Sequence, residues 1–123
     1  MNITANQYKI LFFIALTCVF VASLLPNQAF VAIKAPSNTD KLIHFSMYFV
    51  LSVLAVLAWG NTKKSLFIIA LSLISCGFCI EILQGTDWVK RSYDIVDEIF
   101  NSIGVLAGLL IFLTRNKLVK SVS

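Results

Sequence analysis

Charged side chains are scarce in this chain: they make up 13% of its 123 residues, whereas 59% of the residues are hydrophobic. Soluble domains carry about 25% charged residues, so the composition argues against a water-soluble domain. It argues equally against a disordered chain, because disordered segments combine low hydrophobicity with high charge. Five glycines and two prolines exclude a collagen-like repeat. Apolar runs are what the sequence has in abundance, and its mean hydropathy is +0.88.

Several common catalytic motifs are also missing. The sequence has no glycine-rich phosphate loop, no Gly-x-Ser-x-Gly nucleophile elbow and no His-Glu-x-x-His zinc motif. Cys18, Cys76 and Cys79 lie within apolar runs, and we interpret them as small apolar residues rather than a redox or zinc site. The net charge of +4 comes from Lys and Arg residues spread over the ends of these runs, so no nucleic-acid binding is predicted.

Four apolar runs predict an all-α fold, an integral membrane bundle of four transmembrane helices in a single domain over residues 1–123. The predicted spans cover residues 8–25, 41–59, 65–84 and 94–114. Crossing a hydrocarbon core of roughly 30 Å takes about 20 helical residues, and each run qualifies with its flanks. No small-x-small cleavage pattern stands clear of the first run, so we interpret it as an uncleaved span rather than a signal peptide.

The distribution of charge predicts how the bundle is inserted. An even number of spans places both termini on one face of the membrane, together with the loop 61–64. The basic residues of that face are Lys9, Lys63, Lys64, Arg115, Lys117 and Lys120. Those of the opposite face are Lys34, Lys41, Lys90 and Arg91, and all six acidic residues lie there too. The positive-inside rule therefore predicts a multi-pass protein of the cytoplasmic (inner) membrane with both termini in the cytoplasm.

Polar side chains within the predicted spans gather at one end of the bundle. They occur at the start of the second span, the end of the third and the start of the fourth, and alternating topology puts these places on the same, outer side. Polar residues inside a bilayer are costly, so they indicate a functional site by default. The predicted binding residues are Asp40, Lys41, His44, Tyr48, Glu81, Gln84, Arg91, Asp94, Asp97 and Asn101.

In the second span, part of this set has an ordinary structural explanation. Either Thr39 or Asp40 is expected to cap the helix, and Lys41 at a span end can extend its charge into water. His44 has no such explanation, because it lies a full turn inside an apolar run. It shares a helix face with Asp40 and, one turn further along, with Tyr48.

In the third and fourth spans the polar residues also share helix faces. Glu81 and Gln84 are three residues apart, and Glu81 lies about one turn below the surface. An acid at the bilayer centre costs about 2.5–3.5 kcal/mol, so Glu81 is expected to be paired or protonated. Asp94 and Asp97 suit the start of a helix. Asn101, on the same stripe, needs a partner inside the bundle.

These residues form three motifs in chain order. They read Asp40-Lys41-x-x-His44-Phe45-x-x-Tyr48, Glu81-x-x-Gln84 and Arg91-x-x-Asp94-x-x-Asp97-x-x-x-Asn101-x-x-Gly104-x-x-x-Gly108. Over residues 40–108 the chain thus resembles the VanZ-like family of small integral membrane proteins. The family's founding member is associated with low-level resistance to the glycopeptide teicoplanin. The resemblance implies an outer-face role near cell-wall precursors or envelope lipids, and it supplies no reaction.

Three classes of function remain open. In the first, the outward pocket binds the head group of a phospholipid or a lipid-linked cell-wall precursor, with Lys41 and Arg91 meeting anionic groups. In the second, the protein is an enzyme acting on a lipid-linked substrate, and the candidate catalytic residues are His44, Glu81 and Asp97. In the third, the polar residues only fix the packing of the helices.

No cofactor and no metal site are predicted from the sequence. His44 with Glu81 and either Asp94 or Asp97 could hold a divalent metal ion, but no spacing in the sequence demands one. The lipid bilayer is the predicted partner, and the sequence leaves the oligomeric state open.

Overall fold

A computed structural model describes residues 3–25 and 38–122, with side chains described as far as Thr114. Over these residues the protein is all-α, and its helices are α1 (Ala5–Leu24), α2 (Thr39–Trp59), α3 (Lys63–Gln84) and α4 (Ile95–Val122). All four are long and apolar enough to cross a membrane, α4 by its segment Ile95–Thr114. The predicted bundle of four membrane-spanning helices is confirmed.

The helices extend beyond the predicted spans at some of their ends. α1 begins at Ala5, before the apolar run, because Thr4 and Gln7 form a capping box. The Gln7 N–H donates to Thr4 Oγ1 (3.4 Å), and the Thr4 N–H donates to Gln7 Oε1 (2.8 Å). α4 continues past Thr114 to Val122. Hydropathy finds the stretch that lies in lipid, whereas a helix can continue into water beyond it.

The acidic residues of the described bundle lie at one end, together with Lys41, Lys90 and Arg91, and the other described lysines lie at the opposite end. Lys9, Lys63 and Lys64 lie at the end where Trp59 packs edge-to-face on Phe12, with ring centroids 5.2 Å apart. The other end holds the described acidic side chains of α2, α3 and α4. Four residues of the predicted charge distribution lie outside the described side chains: Lys34, Arg115, Lys117 and Lys120.

Small residues let α2 and α4 approach closely, and these two helices form the most extensive interface of the described chain. A Cβ at Gly104 would collide with the Phe45 carbonyl oxygen, and one at Gly108 would lie 2.6 Å from Ser52 Cβ. The Ser52 hydroxyl donates to the Val105 carbonyl oxygen across the interface (2.8 Å). These contacts fix the axial register of α2 against α4.

The outer surface of the described bundle is apolar. Ile10, Leu42 and Phe67 are 60%, 63% and 68% exposed, whereas Glu81 and Asn101 are buried. This arrangement suits a lipid environment, where apolar side chains face the acyl chains and polar groups must find partners inside the protein. The protein is therefore a multi-pass membrane protein.

Substituting Gly104 with alanine tests the close α2–α4 contact. The added Cβ would meet the Phe45 carbonyl oxygen, and backbone cannot move aside as a flexible side chain would. We expect Gly104→Ala to lose about 1–3 kcal/mol of unfolding free energy, the usual cost of overpacking, measured by denaturant titration in detergent micelles. Leu106→Ala, at a position 53% exposed on the same helix, is the control and should change less. Equal unfolding free energies of Gly104→Ala and the wild type would contradict the close α2–α4 contact.

Candidate functional site

The candidate site lies at the end of the bundle where α1 and α3 finish and α2 and α4 begin. Helix order brings the polar ends of α2, α3 and α4 to this place, and the α2–α4 register sets their depth. The buried polar side chains here are Ser23, His44, Glu81, Gln84, Asp97, Glu98 and Asn101. We refer to His44, Glu81, Asp97, Glu98 and Asn101 as the His44 cluster.

His44 lies at the centre of the cluster and is 5% exposed. Its Nδ1 atom is 3.0 Å from Asn101 Oδ1 on α4 and 3.8 Å from Glu81 Oε1 on α3. Its Nε2 atom is 3.5 Å from Asp97 Oδ2, one turn earlier on α4. One imidazole thus contacts side chains from both of the other helices, and the structure brings together the three candidate catalytic residues.

The Asn101 side chain fixes the tautomer of His44. Asn101 Nδ2 donates to Glu98 Oε2 (3.2 Å), so the amide oxygen is the atom that faces the imidazole. The reverse orientation of the amide would place its oxygen against the Glu98 carboxylate. Because an amide oxygen only accepts hydrogen bonds, Nδ1 carries the proton. In the neutral imidazole, Nε2 is then a bare lone pair that faces the Asp97 carboxylate.

Glu81 is the unsatisfied member of the cluster. Its side chain has no exposure to solvent, and neither carboxylate oxygen has a well-formed hydrogen bond among the described residues, although the Asp94 N–H approaches it. The Tyr48 hydroxyl is buried nearby on α2 and also has no partner there. A buried carboxylate without a donor or a counter-ion is strongly disfavoured. A proton, a cation or a hydrogen-bond donor at Glu81 would therefore stabilise the site.

Lys41 stands at the rim of the cluster and contacts three carboxylates. Its Nζ atom is 3.4 Å from Asp97 Oδ1, 3.5 Å from Asp94 Oδ2 and 3.6 Å from Asp40 Oδ2. The Asp40 and Asp94 side chains are 54% and 37% exposed, whereas that of Asp97 is 12% exposed. Asp94 also accepts from the Val96 N–H (2.8 Å), as expected of a residue that caps α4. The expected cap of α2 at Thr39 or Asp40 was wrong, because α2 begins at Thr39 and its N-cap residue is Asn38.

Gln84 and Arg91 form a separate polar contact with α1. Gln84 Nε2 donates to the Ser23 carbonyl oxygen (2.7 Å), and Arg91 Nη1 donates to the same oxygen (3.2 Å). The Arg91 N–H also donates to the Gln84 carbonyl oxygen (3.2 Å). These two predicted binding residues thus satisfy a carbonyl at the end of α1 and fasten α1 to α3 and the following loop.

An open groove adjoins the cluster between α2 and α4. Its volume is ≈ 280 Å³, and its lining residues are Asn38, Lys41, Leu42, Phe45 and Phe100. Three of these side chains are apolar, and Lys41 connects the groove to the acidic residues. The groove therefore has an apolar wall with a cation at its polar end.

Three residues of this region were not among the predicted binding residues. Glu98 accepts from Asn101 and, through Oε1, from the Ser102 hydroxyl (3.3 Å). Gly77 lets α3 approach this pair, since a Cβ there would lie 2.7 Å from Glu98 Oε2. The sequence signal for Glu98 is its spacing of three and four residues from Asn101 and Ser102, which places all of them on one stretch of the α4 surface.

No family model matches the chain, and no curated protein or solved structure matches it significantly. The interpretation of the site accordingly rests on its geometry.

Substituting Asn101 tests the network at the centre of the cluster. Asn101→Ala removes the amide that bonds His44 and Glu98 and leaves two buried atoms, His44 Nδ1 and Glu98 Oε2, without their hydrogen-bond partner. We expect a loss of about 2–5 kcal/mol of unfolding free energy, measured by denaturant titration of the purified protein. Ser102→Ala removes one bond to the same carboxylate from a partly buried position. It should cost no more than about 1.5 kcal/mol, and equal losses in the two variants would contradict the network.

Proposed function

We propose that the protein binds the head group of a phospholipid or a lipid-linked cell-wall precursor, with the lipid chain in the groove and the head group at Lys41. The observation that carries this proposal is the double position of Lys41, which lines the groove and contacts Asp97 of the His44 cluster. In an amphiphile bound there, the apolar chain would contact the apolar wall of the groove and the polar head group would contact Lys41.

The groove is suited to a ligand that arrives from the bilayer. Leu42 is 63% exposed on the outer surface of α2, and Phe45 and Phe100 continue the apolar wall inward. A lipid chain could enter sideways and would bury apolar surface at each of these residues. Ligand sites of this kind are mostly apolar, with a few polar groups that fix orientation.

The charges around Lys41 restrict the head group. Asp40 and Asp94 are the more exposed of its partners, so a phosphate could replace them at Nζ while the more buried Asp97 keeps its contact. The carboxylates released in this way would accept hydrogen bonds. The geometry thus suits a phosphate that carries one negative charge and has hydroxyl or ammonium donors beside it, as in sugar-linked or amine-containing lipids.

The proposal places this site on the outer face of the cytoplasmic membrane, with both termini in the cytoplasm. The distribution of Lys and Arg supports this orientation through the positive-inside rule. On that face, head-group binding would change the access of glycopeptide antibiotics to cell-wall precursors. The resemblance to the VanZ-like family supports this as a consequence for teicoplanin susceptibility.

Catalysis on a lipid-linked substrate is the second candidate function. The observation that favours it is the position of the buried Glu81, which has no well-formed hydrogen bond among the described residues and lies 3.8 Å from His44 Nδ1. The other ring nitrogen of His44, Nε2, faces Asp97. Such a set could accept and return a proton during hydrolysis or group transfer. Incubation of the purified protein with precursor lipids, followed by mass spectrometry of the lipids, distinguishes the two functions, since binding alone leaves the lipid chemically unchanged.

Lys41→Gln tests head-group binding. The substitution removes the cation at the polar end of the groove, and we expect affinity for phosphatidylglycerol and for a polyprenyl-linked sugar precursor to fall about tenfold, the value of one charge-assisted hydrogen bond. Native mass spectrometry of the detergent-solubilised protein, titrated with each lipid, measures the affinity. Lys64→Gln, at the opposite end of the bundle, is the matched control and should bind as the wild type does.

A second pair of variants tests the apolar wall of the groove. Phe100→Ala should weaken binding of both lipids, whereas Phe67→Ala, at an exposed position of α3, should not. In cells, Lys41→Gln should change teicoplanin susceptibility at normal folded yield. Equal lipid affinity in all four variants would overturn the proposal.

The proposed orientation is tested with reporters fused to Ser123. A reporter that is active only in the cytoplasm should be active there, and one that is active only outside the cytoplasm should be silent. The reverse result would overturn the orientation. A fusion after Trp88, in the loop between α3 and α4, is the control and should give the opposite pattern.

A further inference from the structure

We propose that the His44 cluster binds one divalent transition-metal ion, of the Zn²⁺ or Mn²⁺ class, through His44, Glu81 and Asp97. This metal site does not depend on lipid binding in the groove, so it would be present even if the groove bound no lipid. The positions of the ligand atoms, the tautomer of the imidazole and the unmet charge of Glu81 support it.

The three side chains converge from three helices. One ring nitrogen of His44, one carboxylate oxygen of Glu81 and one of Asp97 lie within 4.8 Å of one another, and all three residues are buried. Ligand atoms at about 2.1 Å from Zn²⁺ stand about 3.4 Å apart in a tetrahedron. A gap of 4.8 Å would have to close by about 1.4 Å, which side-chain torsions can supply.

The imidazole is prepared for ligation by its hydrogen bonds. Asn101 holds Nδ1–H, which leaves the Nε2 lone pair directed toward Asp97 Oδ2 at 3.5 Å. Glu98 in turn holds the Asn101 amide in place. Metal-binding histidines almost always donate their second ring N–H to a fixed acceptor, which sets the tautomer and the ring orientation. Asn101 and Glu98 would therefore be the supporting partners of the ligand.

The environment of Glu81 is an independent indication that a cation binds in the His44 cluster. Its side chain is fully buried, and both oxygens lack a well-formed hydrogen bond among the described residues. In the neutral imidazole, the Nε2 lone pair and the Asp97 oxygen would also face each other as two acceptors. A cation beside these two atoms would satisfy both, and Glu81 would join them by turning Oε1, now 3.8 Å from Nδ1, toward Nε2. A divalent ion with two carboxylates and a neutral imidazole has no net charge, which is the favourable sum for a site inside an apolar bundle.

The donor set determines the class of metal. One imidazole nitrogen and two carboxylate oxygens suit Zn²⁺ and Mn²⁺, whereas thiolates would favour softer ions. Three protein ligands leave a coordination position for water or for a ligand oxygen.

Metal binding is tested on the purified full-length protein in detergent, prepared with an affinity tag that contains no histidine. After treatment with a chelator, the protein is titrated with Zn²⁺ alone and with Mn²⁺ alone, by calorimetry and by elemental analysis after gel filtration. We expect one ion per chain. The variants His44→Asn, Glu81→Gln and Asp97→Asn should each lose at least tenfold in affinity, and Asn101→Ala about tenfold. Asp87→Asn, in the exposed loop after α3, is the control and should bind normally.

His44 is the single histidine of the chain, so selective ¹⁵N-histidine labelling gives an unambiguous spectroscopic readout. Zn²⁺ should shift the Nε2 resonance while Nδ1 stays protonated, and Glu81→Gln, which keeps the shape of the side chain, should require at least tenfold more Zn²⁺ for the same shift. Absence of stoichiometric binding at micromolar free metal overturns the proposal. So does binding that survives the three ligand substitutions, or an imidazole that stays protonated on both nitrogens in the presence of metal.

Discussion

The cost of keeping ionisable groups inside an apolar bundle governs the polar end of this protein. Lipid offers such groups no partners, so each must find them within the protein or change its charge. The small residues along α2 and α4 set the register that places His44 opposite Asn101, and their hydrogen bond then orients the cluster. If α4 slid by one turn so that Gly104 and Val105 took the place of Asn101, the imidazole would lose its amide partner. The close packing at Gly104 is therefore required for the contacts within the His44 cluster.

The sequence alone predicted the four spans and the end of the bundle at which the polar residues meet. Both follow from simple physics, because a span is recognised by hydropathy over about 20 residues and alternating topology determines which span ends are neighbours. The same reasoning singled out His44 and Asn101, since neither has a capping or snorkelling explanation. Helix ends were predicted less well, because helices continue into water without any change in hydropathy.

The contacts within the site could not be predicted in the same way. Gln84 and Arg91 were grouped with the other polar residues, but in the structure they bond to the Ser23 carbonyl oxygen of α1. That outcome depends on the rotation of α3 about its axis and on the path of the following loop, which depend on packing across the whole bundle. Glu98 was missed because its role follows from the orientation of a single amide, that of Asn101.

Lys41 and Glu81 are the residues that argue against a purely structural role for the cluster. A polar network that only fixed register would be expected to satisfy its own members, since apolar residues of similar size pack as well or better than an ion pair. Here a fully buried carboxylate has no well-formed hydrogen bond within the described chain, while Lys41, which contacts Asp97 of the cluster, lies at its rim beside an apolar groove. The two proposals, a cation at Glu81 and an anionic head group at Lys41, each account for one of these features. A cation at Glu81 would offset the negative charge of the cluster and so reduce the repulsion that any phosphate at Lys41 must otherwise overcome.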